Sequence, residues 1–217
     1  MNKNLTELVF LLDRSGSMSG LETDTIGGYN AMLEKQKKED GEANVTTVLF
    51  DDQVEMLHQR VSILEISKMT EKEYYVRGCT SLLDAIGHTI HYMGNVQKYA
   101  KEGDKAEKVL FVITTDGYEN SSKEYTYEKI KKMIERQKDS YRWEFIFLGA
   151  NMDAVETAKQ FGIDEDYATN YVADSKGTEL NYQAMNEAIS SCRLEGKISK
   201  RWKEEVERDY KVRTCSK

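Results

Sequence analysis

The stretch ELVFLLDRSGSMS, residues 7–19, decides the reading of this chain. Residues 8–12 form an unbroken apolar run that stops at Asp13, followed by Arg14, Ser15, Gly16 and Ser17. Such a run predicts a strand covered on both faces. It delivers one carboxylate and two hydroxyls to the strand's C-terminal end, on a turn that Gly16 keeps open. In open α/β sheets, ligands sit beyond the carboxyl ends of the strands. Ligands that are all oxygen suit a hard divalent cation such as Mg2+ or Mn2+.

Outward from this stretch, strand-like runs alternate with helical patterns. Residues 21–38 carry Ile26, Tyr29, Met32 and Leu33 at helical spacing. Residues 45–50 are apolar and β-branched, a second strand. Asp51, Asp52 and Gln53 read as a tight turn. Residues 54–63 form the next strand, antiparallel to its predecessor because so short a link holds no crossover. Residues 81–99 predict a helix with Leu82, Leu83, Ile86, Ile90 and Met93 on one face. A strand at 109–114, a helix at 125–139 and a strand at 144–148 follow. A short helix at 153–161 has Asp153 as N-cap and Gly162 as stop. A strand at 169–173 and a helix at 178–194 close the pattern. The expectation is a doubly wound, mostly parallel six-stranded sheet with one antiparallel edge strand and helices on both faces. One domain is expected over residues 1–196, with a charged tail at 197–217 that reads as solvated or fraying, a docking segment being the alternative.

The 217 residues carry a net charge of −7, which argues against general nucleic-acid binding. The tail holds eight Lys/Arg and four Asp/Glu, a balance of +4, so the rest of the chain carries −11. No leader pattern and no apolar run of membrane length is visible. Cys79, Cys192 and Cys215 lack CxxC spacing and read as reduced thiols of a cytoplasmic protein, with Cys79 expected buried and inert. His58, His88 and His91 share no metal-ligand spacing.

Three segments converge if the sheet is as described. Asp13, Ser15 and Ser17 form the first. The second, Arg77-Gly78-Cys79-Thr80-Ser81, ends at a helix N-terminus, and the third, Thr114-Thr115-Asp116-Gly117, ends a strand. Each alone is weak evidence, because Asp, Ser and Thr are ordinary helix caps and turn residues. Their joint occurrence at element ends is the informative observation. Two carboxylates about 4 Å apart repel by roughly 4 kcal/mol at an effective dielectric near 20. A divalent cation removes that cost. The hydroxyls are neutral, so the protein supplies only two charges and leaves the ion able to recruit an external carboxylate.

With these residues, the chain resembles a von Willebrand factor type A domain with its metal-ion-dependent adhesion site. The family's DxSxS motif stands here as Asp13, Ser15 and Ser17, its threonine as Thr80 in GCTSLLDAI, and its second aspartate as Asp116 in TTDG. The resemblance spans roughly residues 6–195 and implies a Rossmann-like sheet of order 3-2-1-4-5-6. It implies that the serines and either the threonine or the second aspartate contact Mg2+ or Mn2+, directly or through water. It also implies a protein partner presenting an Asp or Glu to that ion. Glu119, Asn120 and Asn151 are candidate rim residues. The expected function is a metal-dependent protein-interaction module with no catalysis. The alternative is an accessory subunit of an ATPase, a chelatase-like or a stress-response complex. A metal-dependent phosphohydrolase fits less well, because a second acid is wanted two residues after Asp13 and Ser15 stands there.

Overall fold

In the computed structural model, which describes residues 1–214, six strands form one sheet. The strands are β1 (Asn2–Asp13), β2 (Glu42–Phe50), β3 (Val54–Ser62), β4 (Ala106–Thr115), β5 (Glu144–Gly149) and β6 (Ala168–Asn170). Their order is β3-β2-β1-β4-β5-β6, and only the β2–β3 pair is antiparallel. The helices are α1 (Glu22–Gln36), α2 (Leu82–Tyr99), α3 (Tyr127–Tyr141), α4 (Ala154–Gln160), α5 (Ser175–Glu195) and α6 (Glu204–Thr214). The expected architecture and strand order are those found.

β1 is central because it is apolar on both sides. Leu8, Phe10 and Leu12 face a core shared with Tyr29, Met32 and Leu33 of α1 and Met185, Ala188 and Ile189 of α5. Val9 and Leu11 face the opposite core with Leu82, Ile86 and Ile90 of α2 and Ile130 and Ile134 of α3. Alternate side chains of a strand point to opposite faces, so a continuous apolar run is what a doubly covered strand requires. β1 begins six residues before that run, since Asn2 pairs with Ala106 and Leu5 with Glu42 at the polar end of the sheet.

Local chemistry sets the helix ends. Asp153 accepts from the Glu156 N–H at 3.0 Å, and Asp174 accepts from the Gly177 N–H at 2.8 Å, so each caps the helix that follows it. Gly162 and Gly196 end α4 and α5 at φ of 77° and 73°, a left-handed turn natural to glycine.

The segment after Gly196 departs from the solvated, fraying expectation. Ile198, Trp202 and Val206 are buried. The Trp202 indole donates to the Asp166 carbonyl at 3.0 Å, and Lys203 donates to the carbonyls of Glu165 and Ala168 at 2.6 and 2.9 Å. Arg213 pairs with Asp174, the cap of α5. Three apolar side chains in a charged stretch are enough to dock it, and the charges occupy its outer face. Cys215 lies outside the described residues.

Candidate metal centre

β1 and β4 are parallel neighbours, with Leu12 opposite Thr114. Asp13 ends β1 and Asp116 directly follows β4, so adjacent strands carry their carboxylates to one edge. The Asp13 side chain is fixed on both oxygens. Oδ1 accepts from the Ser15 N–H at 2.7 Å and Oδ2 from the Thr115 hydroxyl at 2.5 Å. The Tyr74 hydroxyl donates to the Asp13 carbonyl at 2.5 Å. Burial pushes the Asp13 carboxyl up to about 6 against the hydrogen bonds from Thr115 and Ser15, and the Asp116 charge adds to the rise.

Asp116 is 1% exposed, and neither of its oxygens has a hydrogen-bond partner among the described residues. Burial raises its carboxyl above the ordinary range, opposed by the Ser17 hydroxyl and its own backbone N–H, neither of which stands at hydrogen-bonding geometry to it. A buried acceptor left unmatched costs roughly 1–3 kcal/mol, so native carboxylates are rarely left this way.

The hydroxyls meet beside these carboxylates. Ser15 Oγ lies 3.0 Å from Ser17 Oγ and accepts from Thr80 Oγ1 at 3.0 Å. A Cβ on Gly117 would lie 3.2 Å from Ser17 Oγ and 3.8 Å from Thr80 Oγ1, so the Asp116-Gly117 turn closes over the same hydroxyls. The structure thus gathers Asp13, Ser15, Ser17, Thr80 and Asp116 at one sheet edge. Neighbouring oxygens of an octahedral shell with bonds near 2.1 Å stand about 3.0 Å apart, which is the spacing of these hydroxyls. Among the described residues there is no group of three or more His, Cys, Asp or Glu side chains arranged for a metal. The donor set is two carboxylates and three hydroxyls, which suits a small, hard divalent cation and no soft one.

The Thr80 loop is held by charges that sequence reasoning treated as a turn. Arg14, fully buried, donates through Nε to Asp51 Oδ2 at 2.8 Å, through Nη2 to Glu55 at 2.7 Å and through Nη1 to the Glu73 carbonyl at 3.2 Å. Arg77 donates to the same Asp51 oxygen at 2.7 Å. Main-chain bonds complete the junction: Arg77 N–H to the Arg14 carbonyl at 2.9 Å, Ser81 N–H to the Asp51 carbonyl at 2.8 Å, and Gly16 N–H to the Gly78 carbonyl at 3.1 Å. Burial alone would raise the Asp51 carboxyl. Hydrogen bonds from Arg77, the Gln53 N–H and Arg14 outweigh it and hold the group below its usual range. Gly78 has φ of 65°, and a Cβ there would fall 2.2 Å from Asp52 Oδ1, so the turn needs glycine.

The rim candidates have distinct places. Asn120 Oδ1 accepts from the Thr80 N–H at 2.9 Å, and its own N–H donates to the Thr80 carbonyl at 3.1 Å. Glu119 accepts from the Leu83 N–H at 2.9 Å, the N–H groups of Ser121 and Ser122 at 2.8 and 2.7 Å, and the Ser122 hydroxyl at 2.7 Å. That carboxylate caps the first turn of α2 instead of facing a ligand. Asn151 stands exposed beyond β5 with φ of 52°. Cys79, expected buried, is exposed beside Thr80. The residues that sequence reasoning missed are Thr115, Tyr74 and the Arg14–Asp51–Arg77 cluster. The only available signal was an arginine directly after a buried strand, which needs a carboxylate partner from elsewhere.

No family model and no curated protein matches the chain. Solved structures do. Proximal thread matrix protein 1 from the mussel byssus aligns with a TM-score of 0.59 and 12% identity, over 86% of this chain and 46% of that one. The same mussel protein with a zinc-occupied MIDAS motif aligns at 0.55 and 13%, over 85% and 46%. A von Willebrand factor type A structure from Catenulispora acidiphila aligns at 0.59 and 14%, over 88% and 43%. The chain thus spans less than half the length of these matched chains. With its strand order, its single antiparallel edge and these matches, the chain has the von Willebrand factor type A fold.

Proposed function

We propose that this chain is a metal-dependent protein-interaction module. Asp13, Ser15, Ser17, Thr80 and Asp116 hold Mg2+ or Mn2+ at the C-terminal edge of the sheet, and an Asp or Glu of a protein partner completes the ion's shell. The observation that carries the reading is Asp116, a buried carboxylate with no hydrogen-bond partner among the described residues, near three hydroxyls linked through Ser15. A cation supplies the missing partner, cancels the repulsion between Asp13 and Asp116, and acts as a Lewis acid toward an incoming carboxylate. The zinc-occupied motif of the mussel protein supports a divalent ion on this fold.

The module is not an enzyme on this reading. Ser15 occupies the position where an aspartyl-phosphate hydrolase wants its second acid. No described helix is long and apolar enough to cross a membrane. Free Cys79 and Cys192 suit a reducing compartment, and we place the protein in the cytoplasm.

The test is calorimetric titration of metal-stripped protein with MgCl2 and MnCl2, beside Asp13→Ala, each repeated with an acidic peptide. One-site binding that the substitution abolishes supports the reading. Binding of equal strength in both proteins, or none in either with the peptide present, overturns it.

A further inference from the structure

Two exposed aromatic rings flank the site. Tyr75 and Tyr118 are 44% and 57% exposed. Both are nonetheless braced. The guanidinium carbons of Arg14 and Arg77 each lie 5.4 Å from the centre of the Tyr75 ring, and Arg77 Nη1 donates to its hydroxyl at 3.3 Å. The Tyr118 hydroxyl accepts from the Asp153 N–H at 3.3 Å. Rigid aromatic side chains make good interface anchors because little conformational freedom is lost when they are covered.

Their positions follow from the sheet. Tyr75 lies against the charge cluster at the turn from β2 to β3, built on Asp51 and Glu55. Tyr118 reaches the loop beyond β5, through Asp153. Asp13 ends β1 and Asp116 follows β4, the two strands between. From β2 to β5 is three strand spacings, about 14 Å. An extended segment rises about 3.3 Å per residue and turns alternate side chains to the same face. An acid placed over the metal then directs the side chains two positions before and two positions after it to the same face, about 13 Å apart.

Charge narrows the partner further. A divalent cation balances Asp13 and Asp116, while Arg14 and Arg77 balance Asp51 and Glu55. The whole chain carries −7, so an acidic partner meets no long-range attraction. Short-range contacts must supply the affinity.

We propose that Tyr75 and Tyr118 are paired anchors selecting an extended segment with one Asp or Glu, apolar or aromatic side chains two residues to either side, and few other acids. This rests on the reading of the site as a carboxylate-recruiting metal centre. The probes are two capped peptides, Phe-Ser-Asp-Ser-Phe and Ser-Ser-Asp-Ser-Ser, titrated into the Mn2+-loaded protein beside a titration with Mn2+ alone. The Phe peptide is expected to bind at least about tenfold tighter. Tyr75→Ala and Tyr118→Ala each remove most of that preference, and Tyr118→Ala does so with Mn2+ affinity unchanged. Equal affinity for both peptides with normal Mn2+ binding overturns the anchors and leaves the metal reading standing. Absence of Mn2+ binding overturns both.

Discussion

Asp116→Asn separates the two roles of the site, because it relieves the metal-free fold while disabling its function. The substitution removes a buried charge beside Asp13 and replaces an unmatched acceptor oxygen with an amide donor facing hydroxyls and a carboxylate. Relief of one unsatisfied buried group amounts to about 1–3 kcal/mol. In a chain of 217 residues each kcal/mol moves the melting temperature by about 2–4 °C. In chelator the variant is therefore expected to melt about 2–12 °C above the parent. Magnesium at about a hundred times its dissociation constant stabilises the parent by about 2.7 kcal/mol, or roughly 5–11 °C, and leaves the variant where it was. Calorimetric melts of both proteins in EDTA and in MgCl2 read this directly. A variant that melts below the parent in EDTA, or that gains as much as the parent from magnesium, refutes the argument that Asp116 waits for a cation.

Three further outcomes follow from named contacts. Asp51→Asn leaves buried Arg14 with Glu55 and the Glu73 carbonyl but without its buried carboxylate, so it is expected to cost about 1–3 kcal/mol in urea unfolding and to weaken Mn2+ binding although residue 51 is not a proposed ligand; an unchanged unfolding midpoint would show the cluster to be ornamental. His58 is held neutral by burial, its pKa below the usual value in spite of the Glu73 charge. The unfolded chain takes up its proton near 6.5, so this contribution to stability is complete above that pH and lost as pH falls below it; His58→Gln should flatten the difference in melting temperature between about pH 7 and pH 5, and parallel curves for the two proteins would contradict it. Trp202→Ala removes a side chain 3% exposed and is expected to cost about 3–5 kcal/mol, whereas an unaffected midpoint would mean that the C-terminal segment is not docked.

The fold was legible because its signals are local. The run at 8–12 is too apolar for a one-sided strand, and the three residues 51–53 are too few for a crossover, so the central and edge positions follow from short stretches. The five site candidates were legible for a related reason: each stands where a strand or helix pattern breaks. The cluster that sets the Thr80 loop was not. Arg14, Asp51 and Arg77 come from three separated segments, and a pair of aspartates between two strands is ordinary turn chemistry. Only the folded chain shows that Asp51 accepts from both arginines. Glu119, a rim candidate in the sequence, is seen only in the folded chain to accept from the Leu83 N–H at the start of α2. In the C-terminal segment, charge density concealed Ile198, Trp202 and Val206, whose burial depends on spacing along a helix and on the surface that receives them.

The charge cluster also bears on how the site works. Three segments distant in sequence meet at the candidate metal centre, and none of the bonds that join them involves the proposed ion. Gly16 is tied to Gly78, Arg14 and Arg77 to Asp51, and Thr80 to Asn120. These bonds are made within the protein, so the loops are expected to lose little chain entropy on ion binding. What stays unrelieved is electrostatic: burial raises both carboxyls, and the Asp116 oxygens have no hydrogen-bond partner among the described residues. A site arranged this way binds by neutralising charge, not by folding a loop. Ion uptake should accordingly leave hydrogen exchange in the Gly16 and Gly78 turns nearly unchanged while raising the melting temperature. Exchange in those turns that slows by orders of magnitude with Mg2+ would show instead that the ion, and not the Arg14–Asp51–Arg77 cluster, holds the loops together.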